Sequence, residues 1–314
     1  MTRTASAFGS TLLALALLSA AAPLHAAGTI KQATYATAEA AATALIDAVK
    51  QGEQNQLLTV LGPGSEKLVN SGDKYAEAES RKRFIALYDQ QHKLVAAGPD
   101  RMVLDVGPDD WPLPIPIEQV NGRWQFDAAA GAQELVNRRI GRDEIAAIRT
   151  ALAYVDAQKA YFTLTGKTGL ATYAQHIIST EGKRDGLYWP ATSSADASPL
   201  ADLIAQAEDE GYPGEIVSGH RIPYQGYFFR VLTAQGAMAP GGAMNYIVDG
   251  NMTGGFALVA WPAIYRSSGV MSFIVNQDGV VFQKDLGPRT QAVATAMQNF
   301  DPDLSWARVD IVKQ

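Results

Sequence analysis

Between Gly226 and Gly287 the chain is a series of short apolar runs broken by glycine: GYFFRVLTAQG, then GGFALVAWPA, then GVMSFIVNQDGVVFQKDLG. Each run has the length of a strand and ends in Gly, Pro or Asp-Gly, the residues that reverse a chain between strands. Such a segment is expected to form a compact antiparallel sheet, with Asp278-Gly279 turning a hairpin. It holds no recognisable nucleophile, metal cage or phosphate loop. It speaks for architecture, and any chemistry has to come from elsewhere.

The first residues speak for an address. Arg3 supplies a positive start, and Thr11 to Ala22 is apolar, with Leu12, Leu13, Leu15, Leu17 and Leu18. Pro23 breaks the run, and Leu24-His25-Ala26 ends in the small residue a signal peptidase accepts. The run is too short to cross a bilayer of roughly 30 Å as a helix. Residues 1–26 are therefore read as a signal peptide, and the mature chain as exported without a membrane span. The periplasm is the expected compartment, with secretion as the variant. The absence of cysteine excludes disulfides, thiolate metal sites, a thiol nucleophile and a lipidated cysteine. Net charge is −6, from 26 basic and 32 acidic residues, with no basic stripe. That balance argues against nucleic acid and anionic lipid as partners.

Along the mature chain, Ala41, Leu45, Ala48 and Val49 recur at helical spacing, with Thr37 as N-cap. A short helix over 56–61 stops at Gly62-Pro63-Gly64, and a longer one covers 76–92. Strand patterns follow at 93–97, 101–106, 115–120 and 123–126, and Asn121-Gly122 marks a two-residue hairpin. Trp111-Pro112-Leu113-Pro114 suits only an edge strand. Residues 131–162 read as a helix bent or broken near Gly141, with Ile145, Ile148, Leu152, Val155 and Phe162 as its core stripe. A short helix is expected over 173–178. Another starts with Ser198 as cap and Pro199 in the first turn, and ends at Gly211. The fold class is α+β: a cone-like unit over 27–140, then a helix packed on an antiparallel sheet over 141–314.

Candidate sites are sparse. His92, His176 and His220 lie far apart and none has a second histidine at metal-ligand spacing. His220, between Gly219 and Arg221, is the most distinctive and would serve as a base near neutral pH. The segment GKRDGLYWP (182–190) sets Asp185 beside Tyr188 and Trp189. Charged groups next to flat aromatic faces suit a sugar ring or a peptide. Tyr224 belongs to a second aromatic group with Tyr227, Phe228 and Trp261. The ligand-binding set is therefore Asp185, Tyr188, Trp189, His220 and Tyr224. Asp109-Asp110 reads as a turn, Asn276/Asp278/Asp285 does not match a calcium loop, and Arg138, Arg139 and Arg142 suit ion pairs at a domain junction. No catalytic residue, metal ligand or cofactor site is assigned.

The stretches DDWP (109–112), NRRIGR (137–142), GKRDGLYWP (182–190), 224–236 and 269–287 together resemble an exported bacterial family known as domain of unknown function 2950. That resemblance covers nearly all of the mature chain and implies export but no activity. More weakly, the helix 146–161 with Ala157-Gln158 and Tyr161, followed by a sheet closing on Asp278-Gly279, is similar to the globular part of type II pseudopilins. Pilins polymerise through an N-terminal hydrophobic helix, whereas this helix is internal, so a shared fold transfers no role. The expected function is a non-enzymatic binding or envelope-assembly accessory module, with an envelope protein or glycan as partner. A hydrolase of envelope polymers and a purely structural interaction protein are the competing classes.

Overall fold

The computed structural model describes residues 31–191, 193, 196–213 and 222–310. Residues 1–26, read above as a signal peptide, and His220 lie outside them. The first unit begins with helices α1 (Ala38–Gln51), α2 (Gln54–Leu61), α3 (Glu66–Val69) and α4 (Lys74–Gln90). Thr37 caps α1 by accepting the Ala40 N–H at 3.1 Å, and Gly52, at φ +72°, ends it in the left-handed conformation glycine favours. Then come β1 (His92–Gly98), β2 (Arg101–Val106), β3 (Trp111–Pro112), β4 (Ile117–Val120) and β5 (Arg123–Phe126). They form one antiparallel sheet in the order β1-β2-β4-β5, with β3 paired to β2. Asn121 (φ 52°) and Gly122 (φ 75°) make the tight turn between β4 and β5. Ala41, Leu45, Leu104, Ile117 and Phe126 are among the residues of the first core.

Helix α5 (Ala128–Gly166) follows without interruption for 39 residues. This corrects the expected break near Gly141. Ala128 and Ala132 belong to the first core, Ala147 to Tyr161 to the second, so both ends are anchored by packing. A glycine costs a helix only about 1 kcal/mol relative to alanine, which two anchored ends overcome. Near the start of α5, a Cβ on Gly131 would overlap the carbonyl of Pro114, so only glycine lets helix and loop meet. The expected core stripe holds in part: Val155 is buried, and Ile148 and Leu152 pack against the second core. Ile145, at 53 % exposed, is the correction, and Ala147, Ala151, Tyr154, Gln158 and Tyr161 supply most of the buried face.

The second unit contains β6 (His176–Ile178), β7 (Gly186–Tyr188), α6 (Ala201–Asp209), β8 (Tyr227–Leu232), β9 (Ala234–Gln235), β10 (Met244–Asn245), β11 (Ile247–Val248), β12 (Asn251–Met252), β13 (Ala257–Pro262), β14 (Met271–Asn276), β15 (Phe282–Asp285), α7 (Thr290–Ala296), β16 (Asn299–Phe300) and β17 (Ala307–Arg308). Its main sheet is antiparallel in the order β17-β15-β14-β13-β8. All six residues of β13 are buried, as expected of a strand covered on both faces. The hairpin at Asp278-Gly279 forms, as a loop between β14 and β15 rather than a two-residue turn.

Two local expectations in this unit are corrected. Residues 173–178 form no helix: Tyr173 bridges to Met252, and β6 pairs in parallel with β7. Ser198 does not cap α6, which starts after Leu200, because Leu200 N–H is drawn to the carbonyl of Leu187 and Ser198 C=O accepts from Ala201. No described helix is long and apolar enough to cross a membrane.

Candidate functional site

The loop before β7 is built as structure. The Asp185 carboxylate accepts from the Thr180 N–H at 2.8 Å and the Thr180 hydroxyl at 2.9 Å, closing the turn. Burial raises its pKa, the Thr180 bonds lower it, and the net direction is down. Trp189 is 5 % exposed, and its Nε1 donates to the Asp196 carbonyl at 2.9 Å. Arg184 lies 5.4 Å above the indole and pairs with Asp196 at 2.5 Å. Tyr161 donates to the Arg184 carbonyl at 2.5 Å and meets the indole edge-on. Tyr188 is half-buried against the second core. These aromatics hold β7 in place, and β7 in turn holds β6.

In front of β6 lies a cavity of about 320 Å³. Its walls are one face of α6 (Leu200, Leu203, Ile204, Ala207), Ile177 and Ile178 of β6, Tyr154 of α5, and Phe228 and Phe229 of β8. The α6 residues recur at i, i+3, i+4 and i+7, the period that puts them on one helix face. Of the four sequence-assigned ligand residues that are described, Tyr224 alone lines this cavity. Its ring packs edge-on against Tyr212 at 5.1 Å, and burial, then the nearby Glu210 carboxylate, push its hydroxyl up to about 12.

Three of the polar side chains at the rim are already committed. Tyr154 OH donates to the Ala257 carbonyl at 3.2 Å and accepts from Gln158 at 2.9 Å. Tyr212 OH donates to Asp73 Oδ2 at 2.8 Å and accepts the Gln225 N–H at 3.0 Å. Arg230 donates to the carbonyls of Ala294 and Met297. Apart from the hydroxyls of Thr150 and Tyr224, the rest of the described lining is apolar, suited to binding by burial.

Beside the cavity, the two units meet through charged residues buried between them. Arg139 of α5 reaches the carbonyls of Lys67 and Leu68 on one side, and Ser267 C=O and Oγ, each at 2.9 Å, on the other. Asp73 caps α4 through the Tyr75 and Ala76 N–H groups, both at 3.1 Å, and accepts from Tyr212 and the Gly226 N–H across the junction. Asp143 is 2 % exposed, with Arg142 3.4 Å away. Burial pushes its carboxyl up to about 7, against the pull of Arg142 and Arg139 and with the help of Asp73. The arginine cluster does mark a junction, although Arg139 grips carbonyls rather than carboxylates, while Arg138 pairs with Glu134 within its own helix at 2.9 Å.

The other sequence candidates stay apart. His92 stacks on Tyr88 and bonds its carbonyl at 2.8 Å, and Asp110 pairs with Lys93 at 2.6 Å in a surface turn. Asn276 and Asp278 bond each other within the hairpin loop. Among the described residues no group of three or more His, Cys, Asp or Glu gathers as a metal site. Sequence reasoning did not single out the α6 stripe, Asp73 or Asp143. The stripe was visible as a helical period, whereas the two carboxylates carried no local signal.

No curated protein and no solved structure gives a significant match to the chain. A family model described as Protein of unknown function (DUF2950) matches residues 32–309, and the chain belongs to that family.

Proposed function

We propose that the protein is an exported, periplasmic, non-enzymatic binding module whose ligand site is the cavity between α5, α6, β6 and β8. The observation that carries this reading is the cavity itself, about 320 Å³ and apolar, at the lower end of ligand-site volumes. The Asp185–Trp189 loop supports its rear wall through β7, and Tyr224 stands at its rim. The address rests on residues 1–26 and the lack of cysteine. Envelope-assembly partners fit this chemistry better than glycans, because a sugar needs several free hydrogen-bonding side chains and the described lining is mostly apolar.

An anilinonaphthalene dye, which brightens in apolar sites, should bind the wild-type protein. Leu203→Trp, which fills the groove from its half-open side, should weaken the dye by about tenfold with the unfolding midpoint nearly unchanged, since surface-lining substitutions cost little. Equal dye binding by both proteins would place the dye elsewhere and remove the support for this site. Osmotic shock of expressing cells should release a chain beginning near Ala27, and recovery of the unprocessed chain in the cytoplasm would refute the address.

A further inference from the structure

The free edge of the main sheet names a ligand class for this cavity. β8 is a terminal strand of its sheet. Its register sets Tyr227 opposite Pro262, Phe229 opposite Ala260, and Val231 opposite Leu258. Tyr227 exchanges both backbone bonds with Tyr224, at 2.8 and 3.0 Å, while Ala263 N–H donates to Gly226 C=O at 2.9 Å. In an antiparallel pair these alternate. Tyr227, Phe229, Val231 and Thr233 therefore turn their backbone groups away from β13.

Tyr227 is satisfied by Tyr224, and the carbonyl of Thr233 accepts from Tyr246 at 2.9 Å. Between them, no described residue hydrogen-bonds the N–H or C=O of Phe229 or Val231. The cavity runs along this edge. Phe228, Phe229 and Arg230 all line it, and consecutive residues, which point to opposite faces of a sheet, can share a wall only where that wall wraps the strand's edge.

We propose that the cavity takes an extended apolar peptide segment of another protein, docked as an added strand on the Phe229–Val231 edge of β8. This rests on the binding reading above and specifies its ligand. An alkyl chain filling the same space would cover the unpartnered N–H and C=O of Phe229, which is costly, and offer nothing to those of Val231 further along the edge. A strand meets all four and sends alternate side chains into the apolar wall of Ile177, Ile178 and Leu203. Among the described lining residues the one cation, Arg230, donates to the carbonyls of residues 294 and 297, so the inserted side chains should be uncharged.

The test uses a fluorescent octapeptide of alternating valine and threonine, the same peptide N-methylated at two alternate residues, and laurate, each titrated against the mature full-length chain. The plain peptide should bind, and loss of two backbone donors should weaken it about twentyfold. Val231→Pro removes one outward N–H while leaving the ladder to β13 intact, as edge prolines do, and should weaken the peptide about fivefold with little change in unfolding midpoint. Equal binding of plain and N-methylated peptides would overturn strand addition. Laurate displacing the dye in a Leu203-dependent way, with no peptide binding, would leave the binding reading standing and sink the peptide. Failure of dye, laurate and peptide alike would sink both. Peptide binding that occurs only after residues 214–221 are replaced by a Gly-Ser linker would assign the slot to the chain itself and overturn the proposal.

Discussion

Replacing Arg139 with alanine should lower the free energy of unfolding by about 3–5 kcal/mol, measured by urea denaturation. The guanidinium bonds three main-chain carbonyls and one hydroxyl, drawn from residues 67–68 and from Ser267. Burial lowers its pKa, and the neighbouring Asp143 and Glu77 carboxylates pull in the opposite direction. Alanine removes this donor from the part-buried carbonyls of Leu68 and Ser267, leaves Lys67 C=O only the Ser267 hydroxyl at 3.1 Å, and leaves Asp143 facing Asp73 with only Arg142 nearby, and breaking such a network is more costly than any single bond. Lysine should recover little, because one ammonium cannot reach both sides of the junction in a planar fork. A loss below about 1 kcal/mol would mean that the junction bonds are replaced by water in solution.

Acidification should stabilise this protein from pH 7 down to about pH 5. The Asp143 carboxyl titrates at about 7 in the folded chain, above its ordinary value, with burial as the leading cause. Between the unfolded and folded values the native state holds a proton that the unfolded chain has lost. Stability from this group is therefore greatest at the acid end and falls as pH rises toward 7. Asp73, opposite, is shifted in the same direction, with burial opposing its four hydrogen bonds. The cost of ionising Asp143 at pH 8 is on the order of 4 kcal/mol. Asp143→Asn should remove most of that cost, raising stability at pH 8 and flattening the profile between pH 5 and 8. Unfolding titrations at several pH values decide the matter. A wild-type profile that rises with pH, or an Asn variant less stable than wild type at pH 8, would show that Asp143 stays ionised and paired with Arg142.

The sheets were legible because their signals are local. Asn121-Gly122 and the runs of β8, β13 and β14 need only their own few residues to announce strands and turns, and the structure places strands in each. The errors arise where distant contacts decide. Large apolar residues drew the expected stripe of α5 as far as Ile145, which is exposed; Val155 is buried as expected, but most of the buried face is alanines and two tyrosines. The stretch 173–178 has helical composition, yet Gln158 binds both the N–H and C=O of Ala174, at 2.8 Å each, and holds the chain extended. Ser198 resembled a cap until Leu187, eleven residues earlier, claimed the Leu200 N–H. The cavity was hidden for the same reason. Its walls come from residues 150–154, 177–178, 200–207 and 228–230, which no spacing rule joins.

Helix α5, at 39 residues, runs for about 58 Å and contributes buried residues to both cores. Ala128 and Ala132 serve the first core and Ala147 to Tyr161 the second, so residue 140 lies on the stretch of rod that joins them. Because the rod is continuous, one residue inserted on that stretch would turn one core about its axis by about 100° relative to the other.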